Sequence, residues 1–374
     1  MSPAGEALNT DPIGPLDQEA MEAAQRRWDG LIKPSRGLGS LESFVVHLAG
    51  ITSQEVPCLN RRRVLIMVAE HGVAEEGVSA YPEGMTRSIV EAFLHGQSGT
   101  SVLGRETATE VYLIDVGLKE NCHRDCHAAG TTVPGYQLGK AAAQWISLKI
   151  AAGTKNFLKG RAMKREEVLL ALQTGANLVR QAAEEGVQAL ALGEIGIGNT
   201  TSCSAITAAL LQLPPEEVVG HGSGVSDNAM ERKRRVVAQA LCRHDPPTGD
   251  AVEVLSMVGG LEIAALTGAI LEAARLRLPA ILDGFVTCTA ALCAFFLDPG
   301  IRDYLLLSHW SKERGQQKIV DFLQLKPLLA FDLQYGEGVG AVLALHQAYL
   351  ATCVLRDMGK WPKKRNNDPS PRIL

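Results

Sequence analysis

The stretch Gly193-Glu194-Ile195-Gly196-Ile197-Gly198-Asn199-Thr200-Thr201-Ser202 carries the strongest chemical signal in the chain. It follows an apolar run and opens helix-forming text. Glycines let backbone amides come close to an anion, and a helix N-terminus adds positive potential. Thr200, Thr201 and Ser202 add hydroxyl donors, so the stretch reads as a phosphate cradle. It is not a P-loop, because no Gly-Lys-Ser/Thr occurs, and it lacks the third glycine and early placement of a dinucleotide fingerprint. Glu337 lies in Gly336-Glu337-Gly338-Val339-Gly340-Ala341, a carboxylate with open backbone on both sides. That placement suits a general base reaching into a ligand pocket. Residues 70–82 (EHGVAEEGVSAYP) form a loop in which Gly72 and Gly77 predict tight turns and Ser79 and Tyr81 are placed to line a pocket. Cys122-His123-Arg124-Asp125-Cys126-His127 holds metal-ligand residue types. No second pair at zinc-site spacing follows, so it reads as a polar surface loop and no metal is expected.

These residues need a scaffold. Apolar, strand-forming runs stand at 63–68, 111–116, 187–192, 279–282, 304–307 and 328–333. Helix-forming text lies between and around them, at 18–32, 41–51, 86–94, 166–185, 202–211, 229–241, 261–277, 287–296 and 315–323. Strands that alternate with helices and are apolar throughout predict an α/β fold: an open, Rossmann-like parallel sheet with helices on both faces. Polar residues follow several strand ends, the edge at which such sheets bind ligands. Glu70, Asp115, Glu194, Asp283, Ser308 and Glu337 are therefore expected to converge on one crevice. Residues 40–345 are expected to form the large domain. Residues 1–39 with 346–374 are expected to form a small helical subdomain, ending in a basic, Pro-rich tail predicted to be disordered.

Composition narrows the function classes. The chain has 374 residues with 37 basic against 41 acidic side chains, a net charge of −4, which excludes a general nucleic-acid binder driven by phosphate neutralisation. Hydrophobic residues make up 46% and charged ones 21%, a globular balance, while 37 glycines and only 5% aromatics suit closely packed α/β layers. The first twenty residues lack the apolar core of a secretory signal. The longest uncharged run, 195–215, is broken by glycines and prolines and is no comfortable membrane span. Eight scattered cysteines, with Cys203, Cys288 and Cys293 in apolar text, read as reduced core thiols. A cytoplasmic protein without membrane or nucleic-acid partners is expected.

Taken together, KPSRGLGSLE, EHGVAEEGVSAYP, AAGTKNFLKGRAM, GEIGIGNTTS, GHGSGVSDNAMERK, GGLEIAALTGAILEAA, LDGFVTCTAAL, LSHWSKERG and YGEGVGAVLAL resemble, in order and spacing, the nicotinate-nucleotide:dimethylbenzimidazole phosphoribosyltransferase family of the cobalamin lower-ligand pathway. The resemblance runs from about residue 33 to about residue 350. It implies a phosphoribosyl transfer from nicotinate mononucleotide to an aromatic N-heterocyclic base, with no cofactor. Glu337 matches the glutamate that takes the imidazole N–H proton. The freed nitrogen attacks C1′ of the ribose and nicotinate leaves through an oxocarbenium-like transition state. The 5′-phosphate would sit on Gly196, Gly198, Asn199 and Thr200, with Lys233 and Ser308 as further donors. Glu194 and Asp283 would hold ribose hydroxyls or the ring edge, and Ser79 and Tyr81 would border the base. The resemblance also implies a homodimer.

The sequence departs from the family pattern mainly around the base. Glu70-His71-Gly72 stands for Asp-His-Gly, Ser88 for a Gln, Gly96-Gln97-Ser98-Gly99-Thr100 for GGAAI, Gln334-Tyr335 for Arg-Leu, and Gly338-Val339-Gly340 for Gly-Thr-Gly. Ser88 and Tyr335 therefore join the base-binding candidates. Losing Arg and Gln removes strong donors. Slow turnover, a different acceptor, or a nucleotide-binding protein for salvage or sensing are the readings these changes raise.

Overall fold

The computed structural model describes residues 11–82, 84–120, 143–222, 224 and 226–362. The Cys122–His127 cluster and the tail from residue 363 onward lie outside them. After helices α1 (Gln18–Asp29) and α2 (Ser40–Thr52) the chain enters strand β1 (Arg62–Ala69). A short 3₁₀ turn (Gly72–Glu76), α3 (Met85–Leu94) and α4 (Gly99–Glu106) lead to β2 (Thr109–Gly117) and β3 (Gln144–Ser147). Next come α5 (Arg165–Glu184), β4 (Ala189–Ile195), α6 (Asn199–Leu211), α7 (Pro215–Val218), α8 (Asp227–His244), α9 (Ala251–Val258) and α10 (Leu261–Arg275). The C-terminal third holds β5 (Ala280–Leu282), α11 (Phe285–Leu297), β6 (Leu306–His309), α12 (Arg314–Leu323), β7 (Pro327–Leu329) and α13 (Val339–Asp357).

Among the described residues, seven strands form one sheet in the order β3-β2-β1-β4-β5-β6-β7, every pair parallel. All eight residues of β1 are buried, which is why, after Arg62 and Arg63, residues 64–69 form a continuous apolar run rather than an alternating one. Helices cover both faces, as expected. The turn before α13 lies against Val64 and Ile66, which share one face of β1, while α10 packs on β1, β2 and β5 from the other. Helix α13 is apolar and long enough to cross a bilayer, and over half of it is buried inside the protein. A second, smaller core of Trp28, Leu31, Val45, Ala351 and Leu355 joins α1, α2 and the end of α13.

The sequence reading missed β3 and the short helices α4, α7 and α9. Strand β3 is a four-residue edge strand, QWIS, with both ends exposed, so it offers no apolar run to read. Helix α4 begins Gly-Thr-Ser and contains Gly104, residues that favour loops when taken alone. Strand β4 extends to Ile195, placing Glu194 within the strand rather than after it. The expected strand at 304–307 starts later, because Tyr304 closes a 3₁₀ turn (Pro299–Tyr304).

Helices α5 and α10 form the tightest helix pair, and two glycines make the approach possible. A side chain at Gly175 would overlap the Ala265 carbonyl, and one at Gly268 would overlap the Leu172 carbonyl. Gly175→Val is therefore expected to force the helices apart and cost about 3 kcal/mol. Urea unfolding measures this; an unchanged midpoint would mean the pair separates freely.

Candidate active site

The order in which strands are added reverses between β1 and β4. After β1 the chain adds strands on one side, then returns to add β4 and the rest on the other. The carboxyl ends of β1 and β4 therefore flank a topological switch point, where the helices diverge and leave a crevice. The glycine-rich turn between β4 and α6 and the turn before α13 both open there.

Glu337 sits in that second turn, in the left-handed region with φ +63°. A non-glycine residue held there stores about 1 kcal/mol or more of strain and needs its surroundings to impose the conformation. Asp283, at the end of β5, does so. Its Oδ2 accepts the Gly338 amide at 3.0 Å and its Oδ1 the Ala341 amide at 3.0 Å, capping α13 from another strand. Thr100 Oγ1 donates to the Glu337 carbonyl at 2.7 Å. Ser308, fully buried at the end of β6, donates to the Asp283 carbonyl at 2.9 Å and lies 2.8 Å from His309 Nδ1. The turn is thus fixed by three elements, and the Glu337 side chain is left with Oε2 buried and unpartnered. The Tyr335 hydroxyl lies near the same carboxylate, and burial pushes the Glu337 pKa up. A carboxylate with one vacant buried oxygen and raised basicity is equipped to take a proton from a ligand.

The Asp283 carboxylate accepts two backbone amides and the Ser308 hydroxyl donates to the strand end, so both hold the Glu337 turn in place. Burial raises the Asp283 pKa to about 7, against the lowering effect of those amides.

Glu194 lies beside Glu337. Its Oε2 accepts the Asn199 side-chain amide, and the Gly336 backbone passes close to Oε1. Burial first, then the neighbouring Glu262, Asp283 and Glu337 carboxylates, push its pKa up to about 8. Such a cluster of negative groups disfavours its own ionisation and complements positive charge brought in by a ligand. It also sets a stability prediction. Between its ordinary pKa and about 8, Glu194 holds more proton in the folded protein than in the unfolded chain. Stability from this group is present at about pH 4.5 and lost as pH rises through about 8. Glu194→Gln keeps the acceptor for Asn199. It is expected to raise Tm at about pH 8.5 and to change it little at about pH 4.5. Equal shifts at both would show that Glu194 titrates as an ordinary surface acid.

The glycine turn is tight from both sides. Gly198 has φ +96°, and a Cβ there would come within 3.2 Å of the His71 Cβ and 3.5 Å of Ala74. Asn199 and Thr200 open α6. Thr200 Oγ1 accepts from Lys233 Nζ at 2.8 Å. Lys233, on α8, is completely buried, and burial lowers its pKa against the opposing pull of Glu313. It is therefore not a solvated helix charge: it is a desolvated cation aimed at the first turn of α6, where an anion strengthens it.

Behind the turn lies a pair the sequence reading did not single out. His71 Nε2 is 2.6 Å from Glu262 Oε1, and His71 Nδ1 is 3.0 Å from Ser202 Oγ, all buried. The pair ties the end of β1 to α6 and α10. A glutamate inside the otherwise apolar run GGLEIAALTGAI was the available signal.

Of the base-side candidates, Tyr335 and Tyr81 lie on the Glu337 side of the site. Tyr335 is half exposed, beside Gly99, and Tyr81 is close enough to affect its hydroxyl. Burial, then Glu337, push the Tyr335 pKa up to about 12. Ser79 Oγ accepts the Tyr81 amide at 3.1 Å, and Ser88 is exposed on α3. Two of the six expected crevice residues accept backbone amides at the end of β2 and in the loop after it. Glu70 Oε2 accepts the Lys119 amide at 2.6 Å, and Asp115 Oδ1 accepts the Gly117 and Leu118 amides.

A parallel α/β sheet whose switch point gathers a phosphate-sized glycine turn, a buried lysine and a strained, unpartnered glutamate has the parts of a group-transfer enzyme acting on a phosphorylated substrate. The phosphoribosyltransferase family profile matches residues 13–363. Proteins named nicotinate-nucleotide–dimethylbenzimidazole phosphoribosyltransferase are 40% identical over 354 residues in Ruminiclostridium cellulolyticum, covering 95% of each chain, and 41% identical over 346 residues in Chloroflexus aggregans, covering 92% of this chain and 93% of that one. The crystal structure of CobT from Thermus thermophilus matches with TM-score 0.81 and 41% identity over 91% of this chain and 97% of that one. This chain belongs to the nicotinate-nucleotide–dimethylbenzimidazole phosphoribosyltransferase family.

Proposed function

We propose that the crevice transfers the 5-phosphoribosyl group from nicotinate mononucleotide to an aromatic N-heterocycle of the 5,6-dimethylbenzimidazole type. The observation that carries the proposal is the vacant, buried Oε2 of Glu337 on a turn held in the left-handed region. Glu337 takes the azole N–H proton as the azole nitrogen bonds to C1′. The C1′–N bond to nicotinate breaks, and its electron pair neutralises the pyridinium nitrogen. Glu194 and its carboxylate neighbours face the positive charge carried first by the pyridinium and then by the ribosyl carbon. Backbone amides at Gly198–Thr200 and the Lys233 ammonium bind the 5′-phosphate. Tyr335 restores a donor where the family pattern has Arg-Leu, and with Tyr81 it supplies aromatic surface for the base. A protein that only binds its nucleotide has no use for an unpartnered buried carboxylate, which favours transfer over the salvage or sensing reading.

The protein is expected to release nicotinate and an equal amount of ribazole-type phosphate when given nicotinate mononucleotide and 5,6-dimethylbenzimidazole, with or without EDTA. Loss of product in EDTA would require a metal. We also propose a homodimer, supported by large exposed side chains such as Phe331, Tyr335 and Trp310. Light scattering should then give twice the 40.0 kDa chain mass.

A further inference from the structure

We propose that a second site, outside the crevice, binds a phosphate-bearing ligand of up to mononucleotide size. The segment AAGTKNFLKGRAM, between β3 and α5, helps define the family resemblance, yet the transfer mechanism uses none of it. Its residues Lys155, Lys159, Arg161 and Met163, with Lys164 just after it and Glu75 from the turn after β1, surround a cleft of about 650 Å³. That volume accommodates a small organic ligand.

Charge in the cleft is one-sided, in a chain whose net charge is −4. Lys159 pairs with Glu75 at 2.6 Å, and Arg161 with Glu253 at 2.7 Å. Among the described residues no carboxylate lies in ion-pair range of Lys155 or Lys164. Two exposed cations in a concave wall raise the local concentration of anions, and a phosphate dianion can bridge them. Glu75 is the competitor: its carboxylate occupies Lys159, and a bound phosphate would replace it there.

The cleft backs onto the crevice without being part of it. The 3₁₀ turn 72–76 separates them. One side of it meets the glycine cradle, where Ala74 approaches Gly198. The other side meets the cleft wall, where the Gly72 amide donates to the Thr154 carbonyl at 3.1 Å and Asn156 Nδ2 donates to Glu76 at 2.6 Å. A ligand that draws Lys159 away from Glu75 therefore acts on the segment that supports the cradle.

Calorimetric titration of the full chain with inorganic pyrophosphate, at low salt and with saturating nicotinate mononucleotide but no acceptor base, tests this. One pyrophosphate is expected to bind per chain. The double variant Lys155→Ala/Lys164→Ala should weaken it about 10-fold or more, and Glu75→Gln, which frees Lys159, should tighten it about 3-fold. All three side chains are surface groups, and a gain of affinity cannot come from misfolding. Absence of saturable binding, or unchanged affinity in either the double variant or Glu75→Gln, would overturn the proposal. So would pyrophosphate binding that disappears when nicotinate mononucleotide is present, because the anion would then occupy the crevice. If nicotinate mononucleotide itself fails to bind, the transfer reading fails, and the same variants titrated without it still decide the cleft.

Discussion

Replacing Glu337 with Gln is expected to lower the transfer rate about 10²-fold or more while nicotinate mononucleotide binds as before. Gln preserves the side-chain shape and can still meet the Tyr335 hydroxyl, but it cannot take a proton. The loss corresponds to about 2.7 kcal/mol of transition-state stabilisation, within the range of one general base. The turn does not need the carboxylate, because Asp283 and Thr100 hold its backbone. The variant should therefore fold and keep its nucleotide affinity. The raised pKa of Glu337 also gives the wild-type rate an acidic limb above the usual carboxylate range, and the variant should lack it. Rapid turnover in the variant, or an equal loss of rate and affinity, would remove Glu337 from the role of base.

The second large effect is expected at Gly198. Gly198→Val should abolish measurable nucleotide binding. Valine at φ +96° is strained in its own backbone. Its side chain would also press on His71 and Ala74. The obstruction therefore comes first from the protein and not from the phosphate: the turn is compressed between β1 and the ligand. Because His71 is anchored to Glu262 and Ser202, it has nowhere to move. Isothermal calorimetry with nicotinate mononucleotide measures the effect, with a circular dichroism spectrum to show that the sheet remains. Retained binding would place the phosphate elsewhere in the crevice.

The sheet was legible where burial leaves no polar face. Residues 63–68 and 111–116 read as strands because both faces of β1 and β2 are covered. Strand β3 was not, because an edge strand of four residues has neither a run nor an alternation to recognise. The site divided in the same way. The glycine turn and Glu337 announce themselves through local sequence, since a carboxylate between glycines has few structural duties. Asp283 also stood out as a polar residue at a strand end, yet its role did not. Its partners are amides 55 and 58 residues away, and only the fold brings them together. The His71–Glu262 contact spans 191 residues and was illegible for that reason. Glu70 and Asp115 shared the strand-end signature but both accept amides at the end of β2 and in the loop after it, which sequence position alone does not distinguish from a crevice.

The most direct test is a single-turnover reaction with protein in excess over nicotinate mononucleotide, offered 5,6-dimethylbenzimidazole, benzimidazole, adenine or a phenol in turn. Excess protein lets even a slow catalyst convert all of its donor, so altered residues such as Ser88, Gln334 and Tyr335 cannot hide the reaction. The account predicts that at least one N-heterocycle yields a nucleoside phosphate of matching mass, with one nicotinate released for each product formed. Tight binding of the nucleotide with no product from any base would contradict transfer and leave a binding protein built on a transferase fold.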